Sequence, residues 1–455
     1  MPPTPAAIGL AILEMARAGR FAEIRERFAP ALRPMVTAET LQLGWAAELD
    51  RCGPISSLGL PRSEPAGPGL VVVKIPVICQ RGALTVVVSV QDTSWLVGIQ
   101  VASATAADPI APWEPPAYAD QGEFADQDVT VGSGPGAVPG TLSLPTQPGP
   151  RPAIVLLAGS GPQDRDGTLG RNKPLKDLAW GLASCGIAVL RFDKESYAHP
   201  RRVRGAFDYT VADEYVRPAR AALQLLRHHP DVDAGRIALL GHSQGGTLTP
   251  RVAALEPSLA GLVILAGGAQ PLHWAAVRQV RYLASLDPAS AAASKPALAS
   301  LSLQAAQVDD PGLSPSTPAS ALPFGAPAAY WLDLRGYDPV AVAAGLGQPM
   351  LILQGGRDYQ ATVRDDLARW EAGLAGRPDV TICVYPHDNH LFFSGTGRST
   401  PAEYEPVQHV DPVVVADVTD WLARLADTPR RPESEPGSAV AEALGDGPAG
   451  GRRGR

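Results

Sequence analysis

One hexapeptide constrains this chain more than any other feature: Gly241-His242-Ser243-Gln244-Gly245-Gly246. It closes an apolar run, RIALLGHS (236–243), that reads as a buried strand, and it precedes a helix-compatible stretch. A G-x-S-x-G in that setting is a nucleophile elbow, a serine on a sharp strand-to-helix turn. Such a turn leaves no room for side chains beside the serine, which accounts for Gly241 and Gly245. It exposes the Ser243 oxygen and aims the helix N-terminus, with the backbone N–H of Gln244, at developing negative charge. The alternative is an ordinary serine in a glycine-rich turn, and the preceding strand argues against it.

The pattern around the elbow sets the fold class. AIVLLAG (153–159), IAVLRFD (187–193), GLVILAG (261–267), PMLILQGG (349–356) and VTICVYP (380–386) read as strands. KPLKDLAWGLASCG, the stretch 210–229 and VVVADVTDWLARLA read as helices between or after them. Continuous apolar strands alternating with helices predict a mainly parallel sheet covered on both faces, an α/β fold. DVTVGSG and AVPGTLSLP read as a strand pair ahead of it. The long insertion from about 268 to 345, with helical spacing in WAAVRQVRYLASL, predicts a helical cap over a site.

The first hundred residues read as a separate small α+β domain. Ile8, Leu10, Leu13 and Met15, then Phe21, Ile24, Phe28 and Leu32, have helix-like spacing. TAETLQLGWAAELDRCG predicts a third helix from Thr37 to near Gly53. Three β-rich runs follow: GLVVVKIPVIC, ALTVVVSVQD and SWLVGIQVAS. The expected boundaries are therefore 1–106 for this domain and 107–127 for a Pro-rich linker. The catalytic domain is expected over 128–426, and a disordered tail over 427–455.

Composition excludes several functions. The chain has 455 residues, 45% of them hydrophobic and 19% charged, enough for a sizeable core and two to three domains. A net charge of −7 offers no electrostatic footprint for nucleic acid or an anionic membrane. Cys52, Cys79, Cys185 and Cys383 form no CxxC pair, so they are expected to be small buried hydrophobes. The apolar stretch from Ala6 to Leu13 has no basic region before it and meets Glu14, so an amphipathic helix is expected rather than a signal peptide. No run reaches the length of a membrane span. These features place the protein in the cytoplasm.

A serine hydroxyl needs a base, and the base needs an orienting acid. In this kind of fold they follow the serine in the order acid, then histidine. Asp358 stands just beyond the strand PMLILQGG, although it would also suit a helix cap near Ala361. After the last strand come His387 and His390, and either fits the base. His199, His228, His229, His242, His273 and His409 read as structural or exposed. The other half of an oxyanion hole is expected from the loop Ala158-Gly159-Ser160-Gly161, through the amide of Ser160 or Gly161. A dinucleotide reading of Gly159 and Gly161 fails because Asp164 holds the third glycine position. Gly132, Gly134, Gly136 and Gly140 read as a turn. Asp164, Arg165 and Asp166 read as an ion-pair network rather than a metal site, and Arg201, Arg202 and Arg204 as a solvated loop.

Six blocks carry a resemblance: AGSGPQDRDGT, NKPLKDLAWGLASCGIAVLRFDK, GHSQGG, ALPFGAPAAYWLDLRGYDP, LQGGRDYQAT and NHLF. From Trp113 to about Leu422 the chain resembles the dienelactone-hydrolase-related branch of the α/β-hydrolase superfamily. These are bacterial serine esterases with a small N-terminal domain of the DUF3887 type. The resemblance implies an α/β-hydrolase fold with Ser243 as nucleophile, Asp358 as acid and His390 as base, the NHLF block favouring His390 over His387. Ala158 stands where histidine is usual, and Glu195, beside the expected site mouth, where arginine is usual.

The expected activity is hydrolysis of small or short-acyl carboxylic esters through an acyl-enzyme, without metal or organic cofactor. A thioesterase, acyltransferase or cyclase would use the same acyl-enzyme with another partner. A ligand-binding protein on a hydrolase scaffold is the reading from a different class. The expected partner is a small-molecule ester, with no nucleic acid or membrane and with a homodimer as an option.

Overall fold

Thr4 and Thr37 each turn a side-chain oxygen onto the first turn of a helix, accepting from Ala7 N at 3.3 Å and Thr40 N at 3.1 Å. These caps start α1 (Pro5–Arg17) and α3 (Ala38–Cys52), with α2 (Phe21–Arg27) between them. α3 ends at Gly53, whose φ of 81° suits glycine. The computed structural model describes residues 4–30, 32–33, 36–67, 69–91, 95–103, 113–286 and 288–425.

The three expected β runs form an antiparallel meander: β3 (Leu70–Cys79), β4 (Gly82–Gln91) and β5 (Trp95–Ser103). Two strands were not foreseen, β1 (Ile55–Leu58) and β2 (Arg62–Gly67), both paired with β3. They are short and largely exposed, and Pro65 interrupts the second, so neither carries an apolar alternation. Ile12, Leu13 and Ile24 of the helices are buried with Val73, Ile75, Val86 and Val88 of the sheet in one core.

The chain divides into two units. The first comprises Met1–Pro112, Leu283–Gln307 and Pro318–Ala326, and the second Trp113–Tyr282, Val308–Thr317 and Pro327–Arg455. Residues 107–112 of the expected linker and the whole of the expected tail lie outside the described residues. Trp113 already belongs to the second unit, where its indole N–H donates to Asp177 at 2.9 Å.

The second unit is built on eight strands: β6 (Phe124–Val131), β7 (Val138–Pro145), β8 (Arg151–Leu157) and β9 (Ala188–Phe192), then β10 (Val232–His242), β11 (Gly261–Leu265), β12 (Met350–Gly355) and β13 (Val380–Tyr385). Their spatial order is β6-β7-β9-β8-β10-β11-β12-β13. β8 to β13 run parallel, whereas β6 and β7 pair antiparallel with their neighbours. The inner strands β8, β9, β11 and β12 are apolar without alternation because both their faces are buried. Ile154, Leu156 and Leu240 pack with α4 (Pro174–Ser184) and α14 (Pro412–Leu425). Val155, Leu157 and Leu239 face the other way, into a core with α7 (Arg217–Arg227), α8 (Gln244–Ala254) and α13 (Ala368–Leu374).

The chain leaves β8 to one side for β9 and returns on the other for β10. At such a switch point the loops beyond the carboxyl ends of the two central strands part and leave a crevice. The expected insertion carries α9 (Leu272–Ala284), α10 (Pro288–Asp309), α11 (Ala328–Arg335) and α12 (Pro339–Ala344). Of the cysteines, Cys52 and Cys79 are buried as expected, but Cys185 is exposed where α4 ends and Cys383 is only partly covered. Among the described residues no helix is long and apolar enough to cross a membrane.

Candidate active site

The elbow sits at the switch point, between β10 and α8. Ser243 has φ 55° and ψ −121°, a conformation that L residues rarely adopt and that costs about 1–3 kcal/mol. The surroundings hold it there. Its N–H donates to Leu265 O at 2.9 Å, and its carbonyl accepts from Thr247 N at 2.9 Å. A Cβ at Gly241 would lie 2.2 Å from the Gly245 carbonyl oxygen, and one at Gly245 2.5 Å from Leu157 O. Glycine is therefore required at both positions.

Asp358 follows β12 and is buried, as is His390 after β13. The imidazole Nδ1–H donates to Asp358 Oδ2 at 2.7 Å, which leaves Nε2 as the acceptor. The same Oδ2 accepts from Gln354 Nε2 at 3.1 Å. Oδ1 accepts from the amides of Gln360 and Ala361 at 2.7 and 3.1 Å. The two readings of Asp358, loop cap and imidazole partner, thus belong to its two oxygens. His387 is exposed, so of the two candidate histidines only His390 meets the carboxylate.

The loop carrying His390 is held from several sides. Asn389 Oδ1 accepts from Leu391 N and Phe393 N, and its amide donates to Glu403. Phe392 is buried at φ 57°. His242 Nε2–H donates to the His390 carbonyl at 2.8 Å. Burial and the neighbouring His390 ring push the His242 pKa down to about 4, so it stays neutral. Asp388 goes the other way: burial and Asp411 raise it to about 6, and one of its carboxylate oxygens has no hydrogen-bond partner.

Ser243, Gln244, Ser160 and His390 line one cavity of about 270 Å³. Its wall combines Ala266, Ala269, Ala275 and Pro339 with the larger Leu272, Leu334 and Tyr337. The Ser243 hydroxyl has no hydrogen-bond partner among the described residues, and neither have the amides of Gln244 and Ser160. Gly161, at φ 78°, is not part of that wall. His273 is: it is buried and pairs with Asp309 at 3.0 Å, where the sequence offered only a structural or exposed histidine.

Other expected positions fall outside the cavity wall. Arg165 pairs with Asp193 at 2.9 Å, and Asp166 with Lys173 at 2.8 Å and Arg191 at 3.0 Å, so this cluster is an ion-pair network. Glu195 is buried and pairs with Arg202, so it does not face the site mouth, and Arg202 is not a free surface charge. Sequence reasoning gave no role to Lys194, Glu214, Tyr215 or Tyr330, all buried beside the Ser160 loop and Gln244. One signal was present: lysine is rare here, with only five in the chain, and Lys194 closes a block, RFDK, that was already singled out.

The strand order, with the elbow after the fifth strand of the sheet, an aspartate after the seventh and a histidine after the eighth, makes this an α/β-hydrolase. The acetyl xylan esterase (AXE1) family matches residues 203–266. The chain is 37% identical over 345 residues to the esterase EstD of Thermotoga maritima, covering 76% of this chain and 77% of that protein. Over 133 residues it is 32% identical to the human mitochondrial acyl-coenzyme A thioesterase 2, spanning 29% of this chain and 24% of that one. A solved esterase of Pyrococcus furiosus aligns with TM-score 0.43 at 16% identity, covering 70% of this chain and 99% of that one. The chain belongs to the esterase family that includes EstD and is a carboxylic ester hydrolase.

Proposed function

We propose that the protein hydrolyses small, short-acyl carboxylic esters through an acyl-enzyme on Ser243. His390 Nε2 takes the hydroxyl proton as Ser243 Oγ attacks the ester carbonyl. The amides of Gln244 and of Ser160 or Gly161 receive the oxyanion, at about 3 kcal/mol per donor. The tetrahedral intermediate collapses, the imidazolium returns its proton to the leaving alcohol, and the acyl group stays on Ser243. Water, deprotonated by the same Nε2, then attacks the acyl-enzyme, and the imidazolium returns that proton to Ser243 Oγ as the acid leaves. Asp358 keeps the proton on Nδ1 and stabilises the imidazolium without becoming protonated.

The observation that carries this reading is the 2.7 Å bond from His390 to the buried Asp358, with His390 and Ser243 in one cavity wall. The cavity volume of about 270 Å³ supports a short acyl group. On this reading the N-terminal unit is a DUF3887-type domain, and the enzyme works in the bacterial cytoplasm, alone or as a homodimer. It acts without metal, organic cofactor, nucleic acid or membrane.

The test is Ser243→Ala with aryl acetates, beside labelling by a fluorophosphonate. The variant is expected to lose at least about 10⁴-fold in kcat and all labelling while keeping its fold. An unchanged rate refutes the assignment. A second reading, thioester hydrolysis, draws on the partial match to acyl-coenzyme A thioesterases. A panel of oxygen esters and thioesters of equal acyl length decides between them.

A further inference from the structure

Four buried side chains form one network around the Gly159 carbonyl and the Gln244 side chain, beside the nucleophile. Lys194 follows β9 and is almost fully buried. Its three ammonium hydrogens have three acceptors: the Gly159 carbonyl at 2.9 Å, the Tyr215 oxygen at 2.6 Å and a Glu214 carboxylate oxygen at 3.3 Å. The Tyr215 hydroxyl donates in turn to the same Gly159 carbonyl at 2.6 Å. Burial keeps that phenol protonated.

The geometry of one peptide turns this grip into chemistry. No peptide bond among the described residues is cis, so the Gly159 carbonyl and the Ser160 N–H point in opposite directions within one plane. With the oxygen held toward Lys194 and Tyr215, the N–H faces away from them. Ser160 itself lines the same cavity as Ser243. The loop is also hung on the backbone of residue 194, because Lys194 N donates to Gln163 O at 3.0 Å. Gln163 Nε2 in turn donates to Ser160 O at 2.9 Å.

The same cluster holds the side chain of Gln244, the residue that carries the second amide. The Gln244 side chain contacts the Tyr215 hydroxyl at 3.2 Å and donates to Tyr330 OH at 2.8 Å. Tyr330 donates to Glu214 at 3.1 Å, and Ser196 donates to Glu214 at 2.7 Å. Glu214 and Tyr215 come from a π-helical turn, Ala212–Val216, ahead of α7. The widened turn places two adjacent side chains in one buried network.

We infer that Lys194 and Tyr215 are positioning residues that rotate the Gly159–Ser160 peptide so that the Ser160 amide, rather than that of Gly161, completes the oxyanion hole with Gln244. Glu214 balances the lysine charge, and Tyr330 bridges it to the Gln244 side chain. The inference rests on the acyl-enzyme reading proposed above. A positioned donor acts on the tetrahedral oxyanion and not on ground-state binding, and that contrast is what an experiment can read.

The experiment compares wild type, Tyr215→Phe and the charge-balanced pair Lys194→Met with Glu214→Gln, in the full chain. It measures kcat and KM on an aryl acetate, inhibition by a trifluoromethyl ketone whose hemiketal mimics the oxyanion, and thermal unfolding. Tyr215→Phe removes one hydroxyl and keeps the ring. It is expected to lower kcat by about 10-fold with KM within about 2-fold, and to weaken the ketone by the same factor as kcat. The paired variant is expected to approach the loss of a whole donor, about 10²-fold. Wild-type kcat in Tyr215→Phe, or a loss of kcat with ketone affinity unchanged, overturns the inference alone. If Ser243→Ala, run in parallel, still hydrolyses the ester at the wild-type rate, the acyl-enzyme reading falls and takes this one with it.

Discussion

Asp358 holds His390 with one carboxylate oxygen and its own loop with the other, 2.7 Å to the imidazole and 2.7 and 3.1 Å to two backbone amides. This division of labour separates folding from chemistry. In Asp358→Asn the amide oxygen can still accept from Gln360 and Ala361, but its NH₂ meets the Gln354 amide and Nδ1 and forces the wrong imidazole tautomer. Thermal stability should stay within a few degrees of wild type while kcat falls by about 10⁴-fold. Asp358→Ala should lose as much activity and about 1 kcal/mol more stability through the missing cap. Calorimetry and ester kinetics on the two variants check this, and equal stabilities for both would contradict the assignment of Oδ1.

His242 predicts a pH dependence of stability. The unfolded chain takes up its proton near pH 6.5, the folded one at about 4. Between these values the unfolded state binds more protons, so stability falls as pH drops from 6.5 to 4. The full effect is about 3 kcal/mol. Urea unfolding of wild type and His242→Gln at pH 7 and pH 4 should show the wild type losing about that much more than the variant.

Asp388 predicts the opposite slope. Its folded pKa of about 6 lies above the unfolded value of 3.8. The folded state therefore binds more protons between them, and stability is lost as pH rises through that window. Asp388→Asn should gain about 1–2 kcal/mol relative to wild type at pH 8, and nothing at pH 3.5. The same urea titration reads it.

Gly355 ends β12 directly against the loop that carries the imidazole. A Cβ there would lie 2.4 Å from Asn389 O, one residue before His390. Gly355→Ala should cost about 1–3 kcal/mol in overpacking. Displacing His390 by even about 1 Å should cut kcat by about 10²-fold. Retention of wild-type kcat would show that the histidine loop is not held by this contact.

The strands and the elbow were legible for different reasons. Burial on both faces writes continuous apolar runs such as IAVLRFD and GLVILAG, and the bounds drawn for them fall within a few residues of β9 and β11. At the elbow the glycines stand where a Cβ would strike backbone, so the motif reports its own geometry. β1 and β2 carry no such signal, being short and solvent-facing. The π-helical turn at 212–216 was hidden inside a stretch read as an unbroken helix from 210 to 229, because apolar spacing does not register one extra residue in a turn. Spacing could not choose between His387 and His390 either. That choice depends on burial and on a 2.7 Å contact. Lys194 was illegible as a buried group, since a lysine beside an aspartate reads as surface charge until the fold encloses it.

The three candidate side chains sit after the fifth, seventh and eighth strands of one sheet. During synthesis the alcohol therefore leaves the ribosome well before the carboxylate, and the imidazole comes last. On the reading proposed above, Ser243 therefore gains its base only once β13 has docked on β12.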